Sequence, residues 1–340
     1  MRALVRSPPT LFAIPLGLAG LALVWREMAA GYDTPAGIAD SLFIVAAVLW
    51  ILLVVGAGER LIRAPRLVFA DLGDAVVAPF WSMPLLVGML LGVGLEPHAH
   101  GPAKLIFVIF FIATIAFAGW LTGQWFTGGL DQSRLHPGYL LPSVAGAFIG
   151  AQGAALFHLR GLGSMSFGIA VVSWLILSSL TLNRLMFVSR LPGALVPTLA
   201  IELAPPAVGA SAYFALHGPI PDPVAYGLAG YTVLMVVVQV RLLPVYSRLS
   251  FSPAFWAFTF PAAASAGLAL RWLQIERPAG QTIYAALIAG AASALVVGVA
   301  ARSLLAIARR RHPEPATSFG QHGRLNPERP PTPDLERGRE

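Results

Sequence analysis

Ten stretches of mostly apolar residues, separated by short clusters of Gly, Pro, Asp and Arg, run along the chain at 11–31, 37–57, 74–95, 103–125, 138–157, 164–182, 195–216, 224–243, 254–274 and 282–306. Each is near the roughly 20 residues that a helix needs to cross a hydrocarbon core about 30 Å thick. The runs are long and do not alternate, so they predict helices and not the short alternating strands of a membrane barrel. The pattern predicts an all-α integral membrane protein: a short leading segment at 1–10, a ten-helix membrane domain at 11–308 and a tail at 309–340. The opening "MRALVRSPPTLFAIPLGLAGLALVW" has the basic head and apolar body of a secretory leader. Its apolar body contains a proline and resembles four later segments, which argues for a first span instead.

The odd-numbered spans share a feature that the even-numbered ones lack. "FAIPLGLAG", "WSMPLLVGM", "YLLPSVAGA", "ELAPPAVGA" and "AFTFPAAAS" carry Pro15, Pro84, Pro142, Pro205 and Pro261, and four residues after each stands a small residue, namely Ala19, Gly88, Gly146, Gly209 and Ser265. The spacing is that of one helical hairpin with its loops. A proline inside a helix removes a backbone donor and displaces a carbonyl, which lipid punishes and a wet lumen or a packed neighbour tolerates. Five kinked helices are therefore expected inside and five regular ones outside, with the small residues letting backbones approach. Five such hairpins around an axis would enclose a pore within one chain, although a core packed shut would give the same pattern. Phe260, pressed against Pro261, would point either into that lumen or between helices; hydrophobic constrictions can gate pores by excluding water.

Composition agrees with the membrane reading. Hydrophobic residues make up 56% of the 340 and charged residues 11%, and mean hydropathy is +0.72; soluble chains carry about 25% charged residues. The absence of cysteine excludes thiolate-bound zinc and iron–sulfur sites. A net charge of +7 would suit nucleic acid or anionic lipid, but the positions of the basic residues argue for topology instead. Arg2, Arg6, Arg60, Arg63, Arg66, Arg134, Arg184, Arg190, Arg241 and Arg248 fall on one side, against Arg26, Lys104, Arg160, Arg271 and Arg277 on the other, before the arginines from Arg302 onward are added. The positive-inside rule then places both termini in the cytoplasm. The tail, "PEPATSFGQHGRLNPERPPTPDLERGRE", is rich in proline and charge and is expected to be disordered.

Few residues invite chemistry. Glu202 lies inside the seventh span, three residues before Pro205, and an intramembrane carboxyl is a functional candidate by default. Ionised in a lumen it would repel anions; paired with Arg184 or Arg241 near the cytoplasmic face it would not. A structural role between helices is the competing reading. Asp71 and Asp74 suit the start of the third span, where carboxylates complement the helix dipole. Glu96, His98 and His100 in "EPHAH" offer three metal-ligand types on one loop without a fourth, a weak signal, so no metal or other cofactor is expected. No phosphate-cradling glycine loop, H-E-x-x-H or G-x-S-x-G occurs, so nothing favours an enzyme.

"FAIPLGLAGLALVWR", "HPGYLLPSVAG", "PTLAIELAPPAVGASAYFAL" and "FSPAFWAFTFPAA" together resemble the family of tellurite-resistance TehA proteins, C4-dicarboxylate and sulfite exporters and plant slow anion channels. The similarity covers about residues 10–305. It implies five hairpins in quasi-fivefold array, a central anion pathway in each protomer of a homotrimer, inner helices kinked at Pro15, Pro84, Pro142, Pro205 and Pro261, and a phenylalanine gate at Phe260. Two departures stand out. Plant members are activated through long soluble termini, whereas only about ten residues precede the first span here, and Glu202 stands where an aliphatic residue would be unsurprising. The expectation is a multi-pass inner-membrane channel or channel-like exporter of small inorganic or organic anions, with lipid as its other partner and no nucleic acid. The alternative is a proton-coupled carrier of C4-dicarboxylate or sulfite using Glu202.

Overall fold

The computed structural model describes residues 8–311. Arg2, Arg6 and the tail beyond residue 311 lie outside the described residues. Among these, ten helices are long and apolar enough to cross a membrane: Pro9–Gly31, Gly37–Arg63, Ala78–Leu95, His100–Phe126, Pro137–Leu156, Arg160–Phe187, Val196–His217, Pro223–Tyr246, Pro253–Glu276 and Gln281–Arg309. A short helix, Pro65–Gly73, precedes the third span, in a segment for which the apolar pattern predicts no element. Pro65 opens it, as its missing N–H costs nothing at a helix start.

The odd and even spans differ in burial. Between 44 and 83% of the apolar window is buried in the odd spans, against 6 to 28% in the even ones. The odd spans also pack on one another in a closed cycle: first on third, third on fifth, fifth on seventh, seventh on ninth, and ninth back on first. Through the eighth, each even span lies against the odd span before it. The tenth shares one buried cluster with the first and the ninth, in which Ala285, Ala289 and Ala292 lie with Leu21, Val24, Ala263, Ala266 and Leu270. Two indoles tie it further, Trp25 to Ser293 at 3.0 Å and Trp256 to Ser303 at 3.0 Å. The remaining turns of this helix, from Leu304, form a separate small unit.

The prolines do not interrupt continuous α-helices. The fifth span begins as 3₁₀-helix at Pro137–Tyr139, and so do the other four odd spans, at Pro9–Phe12, Ala78–Ser82, Val196–Leu203 and Pro253–Phe258. These four become α-helical at Ala13–Gly31, Met83–Leu95, Ala204–His217 and Thr259–Glu276. Pro15, Pro84, Pro205 and Pro261 thus sit in the first turn of the α segment, where the fixed φ of proline is favourable. In the fifth span Pro142 lies in a π-helical turn, Leu141–Ala145, that leads into Gly146–Leu156. The expected mid-helix kinks are therefore junctions between helix types, and the 3₁₀ geometry explains why they are affordable in a membrane. The carbonyl four residues before each proline has no α-type donor. In two spans the residue before the proline fills that place: Met83 N–H donates to the Phe80 carbonyl and Ala204 N–H to that of Ile201.

Candidate functional site

Three cavities lie inside the cycle of odd spans. The first, of about 80 Å³, is walled by the starts of all five: Ala13 and Leu16, Met83 and Leu86, Leu141 and Ala145, Ile201 and Ala204, and Phe260 with Pro261. The second, of about 60 Å³, takes later residues of the same five helices, among them Gly20, Leu90, Ile149, Val208 and Ala263. The third, of about 330 Å³, lies further on, with Val93, Leu156, Ala215 and Arg271 in its wall. Along the first span the lining residues include Ala13, Leu16, Gly20, Leu23 and Glu27; along the ninth they include Phe260, Ala263, Gly267 and Arg271. Steps of three and four keep one helix face turned inward, so the cavities follow one line from the N-terminal to the C-terminal ends of the inner helices.

Phe260 is the one side chain common to the walls of the first and second cavities. It is 7% exposed, and the first span makes room for its ring with a glycine: a Cβ on Gly20 would stand 2.9 Å from ring carbon Cδ2. Five side chains are common to the second and third cavities, namely Leu23, Glu27, Leu90, Ile149 and Gln152. The first cavity is apolar apart from Thr10 and Thr198. Charge first appears in the second, with Glu27, and the rim of the third adds Arg26, Glu96 and Arg271.

At that rim Arg26 donates to the carbonyls of Val93 at 2.9 Å and Gly94 at 2.8 Å, near the C-terminal end of the third span where a cation is favoured. Its guanidinium also lies 4.7 Å from the ring centroid of Phe43 and 3.7 Å from Asp40. Arg271 has a different partner: its Nη2 donates to Oε1 of Glu27 at 2.7 Å. Gln274 holds the same stretch through a bond to the Glu27 backbone carbonyl at 3.2 Å, in space left by Gly31.

Several residues singled out from the sequence lie off this line. None of Ala19, Gly88, Gly146, Gly209 and Ser265 lines the three cavities. Ala19 is fully buried, and Gly88, Gly146 and Gly209 lie beneath Phe110, Thr114 and Phe148 of neighbouring helices. Ser265 bonds back to the Pro261 carbonyl at 2.9 Å. They are close-approach positions between helices, as small residues in membrane interfaces generally are. Of the five prolines, only Pro261 lines a cavity. Glu202 faces the sixth span, with Ser178 Oγ 3.5 Å from Oε2, while Oε1 is buried without a partner. Of the two alternatives for this carboxyl, a pairing with Arg184 or Arg241 does not form, because the side chain turns to Ser178 of the sixth span.

Before the third span Asp74 accepts from the backbone N–H groups of Val76 and Val77 at 2.8 and 3.0 Å and pairs with Arg134 at 2.6 Å. Burial raises its pKa, but the Arg134 bond and the two N–H donors together outweigh it and hold the carboxyl below its ordinary range. Asp74 thus caps the approach to the third span. Asp71 instead belongs to the short helix Pro65–Gly73 and pairs with Arg60 at 2.7 Å, so it is no helix-start residue. His98 and His100 turn to separate carboxylates, Asp40 and Glu96, each at 3.1 Å.

Sequence reasoning missed His136, and took Arg184 only as a topology marker and a possible partner of Glu202. His136 is fully buried, stacked on Phe80 with centroids 5.3 Å apart, bonded to the Val76 carbonyl and accepting the Gly138 N–H. Burial lowers its pKa to about 4; the Val76 bond opposes this and nearby Arg184 adds to it. Arg184, 1% exposed, donates to the Ser133 carbonyl at 3.1 Å, with Nε and Nη1 unpartnered.

Among known proteins, the voltage-dependent anion channel family SLAC1 matches residues 6–304. A tellurite resistance protein TehA homolog of Haemophilus influenzae is 30% identical over 280 residues, covering 82% of this chain and 85% of that protein. Two S-type anion channels of Arabidopsis thaliana, SLAH2 and SLAH3, are 26% and 24% identical over 87% and 81% of this chain, but over only 58% and 44% of their own lengths.

Proposed function

We propose that this chain, which belongs to the SLAC1 family of voltage-dependent anion channels, conducts small anions along the line of the three cavities, with the Phe260 ring as the barrier. The supporting observation is that this one ring lines both of two cavities to which all five odd spans contribute. In this reading the five hairpins stand in quasi-fivefold array about a water-accessible axis. The even spans face lipid and, at some of their exposed apolar faces, two further copies in a homotrimer. The protein lies in the plasma membrane with both termini cytoplasmic, as its arginine distribution favours, and acts as a transporter and not an enzyme.

Anion preference follows without a ring of fixed cations. All five inner helices present their N-terminal ends to the first cavity, so their dipoles add with the positive end toward it. The 3₁₀ segments keep carbonyls such as those of Phe80 and Ile201 engaged in helix bonds, which removes the negative groups that proline would otherwise leave free. Glu202, turned toward Ser178, is not placed to couple protons to movement along this line, which favours a channel over a proton-coupled carrier.

The test is reconstitution of wild type and Phe260→Ala in planar bilayers, with chloride replaced on one side by a large impermeant anion. The reversal potential should follow the anion gradient and ignore replacement of the cation. A cation-following potential, or no anion current in either protein, refutes the reading.

A further inference from the structure

We infer that Arg271 is a binding site for a small oxyanion at the outer cavity, and that the Glu27 carboxylate occupies it in the resting protein as a built-in competitor. This rests on the channel reading above and adds a second control point to it, electrostatic where the Phe260 barrier is hydrophobic.

Three observations carry it. Glu27 belongs to the small set of side chains common to the second and third cavities, and Arg271 stands in the wall of the third, so the pair spans the outer neck of the line. The pair is wet: its side chains are 24 and 32% exposed, and partly exposed ion pairs are held only weakly against solvent and competing ions. The two arginines of this rim are also unequal. Arg26 spends both terminal nitrogens on the backbone carbonyls of Val93 and Gly94, whereas the one side-chain acceptor of Arg271 is Glu27. An incoming anion can take the place of a carboxylate on Arg271 but gains little from Arg26.

The chemistry selects the ligand. A guanidinium presents a planar fork of donors that suits two oxygens of one anion, whereas Glu27 engages it through Oε1 alone. A planar or tetrahedral oxyanion competes on equal terms, and a halide meets only one donor well. The Gln152 amide, also common to both cavities, adds a neutral polar group to their walls. While Glu27 holds Arg271 the neck is close to neutral; once an anion takes the guanidinium, the freed carboxylate repels the next anion. Occupancy of Arg271 therefore sets how current depends on external anion concentration.

Nitrate is the probe, applied from the external side in a Phe260→Ala background so that the inner barrier does not limit the current. Glu27→Gln, an isosteric change, should lower the half-saturating external nitrate concentration about tenfold, equivalent to about 1.4 kcal/mol, and leave half-saturation from the cytoplasmic side unmoved. Arg271→Gln should abolish external saturation, and the double variant should behave like Arg271→Gln. An unmoved or raised external half-saturation in Glu27→Gln overturns the inference while the Phe260→Ala current itself upholds the channel. If Phe260→Ala carries no current, the channel reading fails and the site is judged separately by heat stability. Nitrate should then raise the melting temperature of detergent-solubilised Glu27→Gln and not that of Arg271→Gln; equal shifts in both overturn it.

Discussion

Replacing Phe260 by alanine tests whether the ring is a barrier or only packing. The ring is 7% exposed and lines both of the cavities of about 80 and 60 Å³. In the channel reading, opening requires it to swing away from Gly20. Fully burying a phenylalanine side chain stabilises it by about 1.5–3 kcal/mol relative to exposure, so that is the scale of the cost of opening. With a factor of ten in rate for each 1.36 kcal/mol, Phe260→Ala should raise macroscopic anion conductance roughly ten- to a hundredfold. Phe260→Leu, which keeps an apolar plug of smaller size, should fall between alanine and wild type. The assay is conductance per inserted molecule in planar bilayers under symmetric chloride. Elution volume and melting temperature serve as controls, since truncating a packed phenylalanine costs folding energy as well. A well-folded Phe260→Ala protein with wild-type conductance would refute the argument, as would Phe260→Leu exceeding Phe260→Ala.

Three further outcomes are expected. Because the folded pKa of His136 is depressed to about 4 and its unfolded value is near 6.5, its neutral form belongs to the native state. Its stabilising contribution is full above about pH 6.5 and is lost as pH falls toward 4, by on the order of 3 kcal/mol; melting temperature in detergent should drop over that window, and His136→Gln should flatten the drop. Gly88→Ala would set a Cβ 2.6 Å from two carbons of the Phe110 ring, whereas the same change at Gly119 meets nothing within 4 Å. Overpacking typically costs about 1–3 kcal/mol, so Gly88→Ala should lower the melting temperature and Gly119→Ala should not. Glu202→Gln should leave the pH profile of anion current unchanged, since its carboxyl meets Ser178 and lines none of the three cavities; a shifted profile would return the carboxyl to the transport path.

The spans were legible because bilayer thickness and backbone satisfaction leave few alternatives, and the division into inner and outer helices followed from where proline is tolerated. The helix types at the prolines were not. A 3₁₀ start and an α-helix with a proline share one apolar pattern, and only the bonds to the Phe80 and Ile201 carbonyls tell them apart. His136 escaped notice because a histidine between Leu135 and Pro137 reads as loop until Phe80 of another span covers it.

The lining face was recoverable from one anchor. With 3.6 residues per turn, each residue rotates the helix by about 100°. From Phe260 to Ser265 the rotation is about 500°, or 140° beyond a whole turn, so a helix that aims Phe260 at the axis must aim Ser265 at a neighbour. The same count from Phe260 to Arg271 leaves only about 20°, and from Gly20 to Glu27 about −20°, so both charges belong to the face that carries the ring. What the count cannot give is that Glu27 and Arg271, 244 residues apart, meet. That requires the cycle of inner helices to close, ninth on first. The closure that shapes the line thus also forms its outer ion pair, so charge reversal at both positions together should restore the stability that either reversal alone removes.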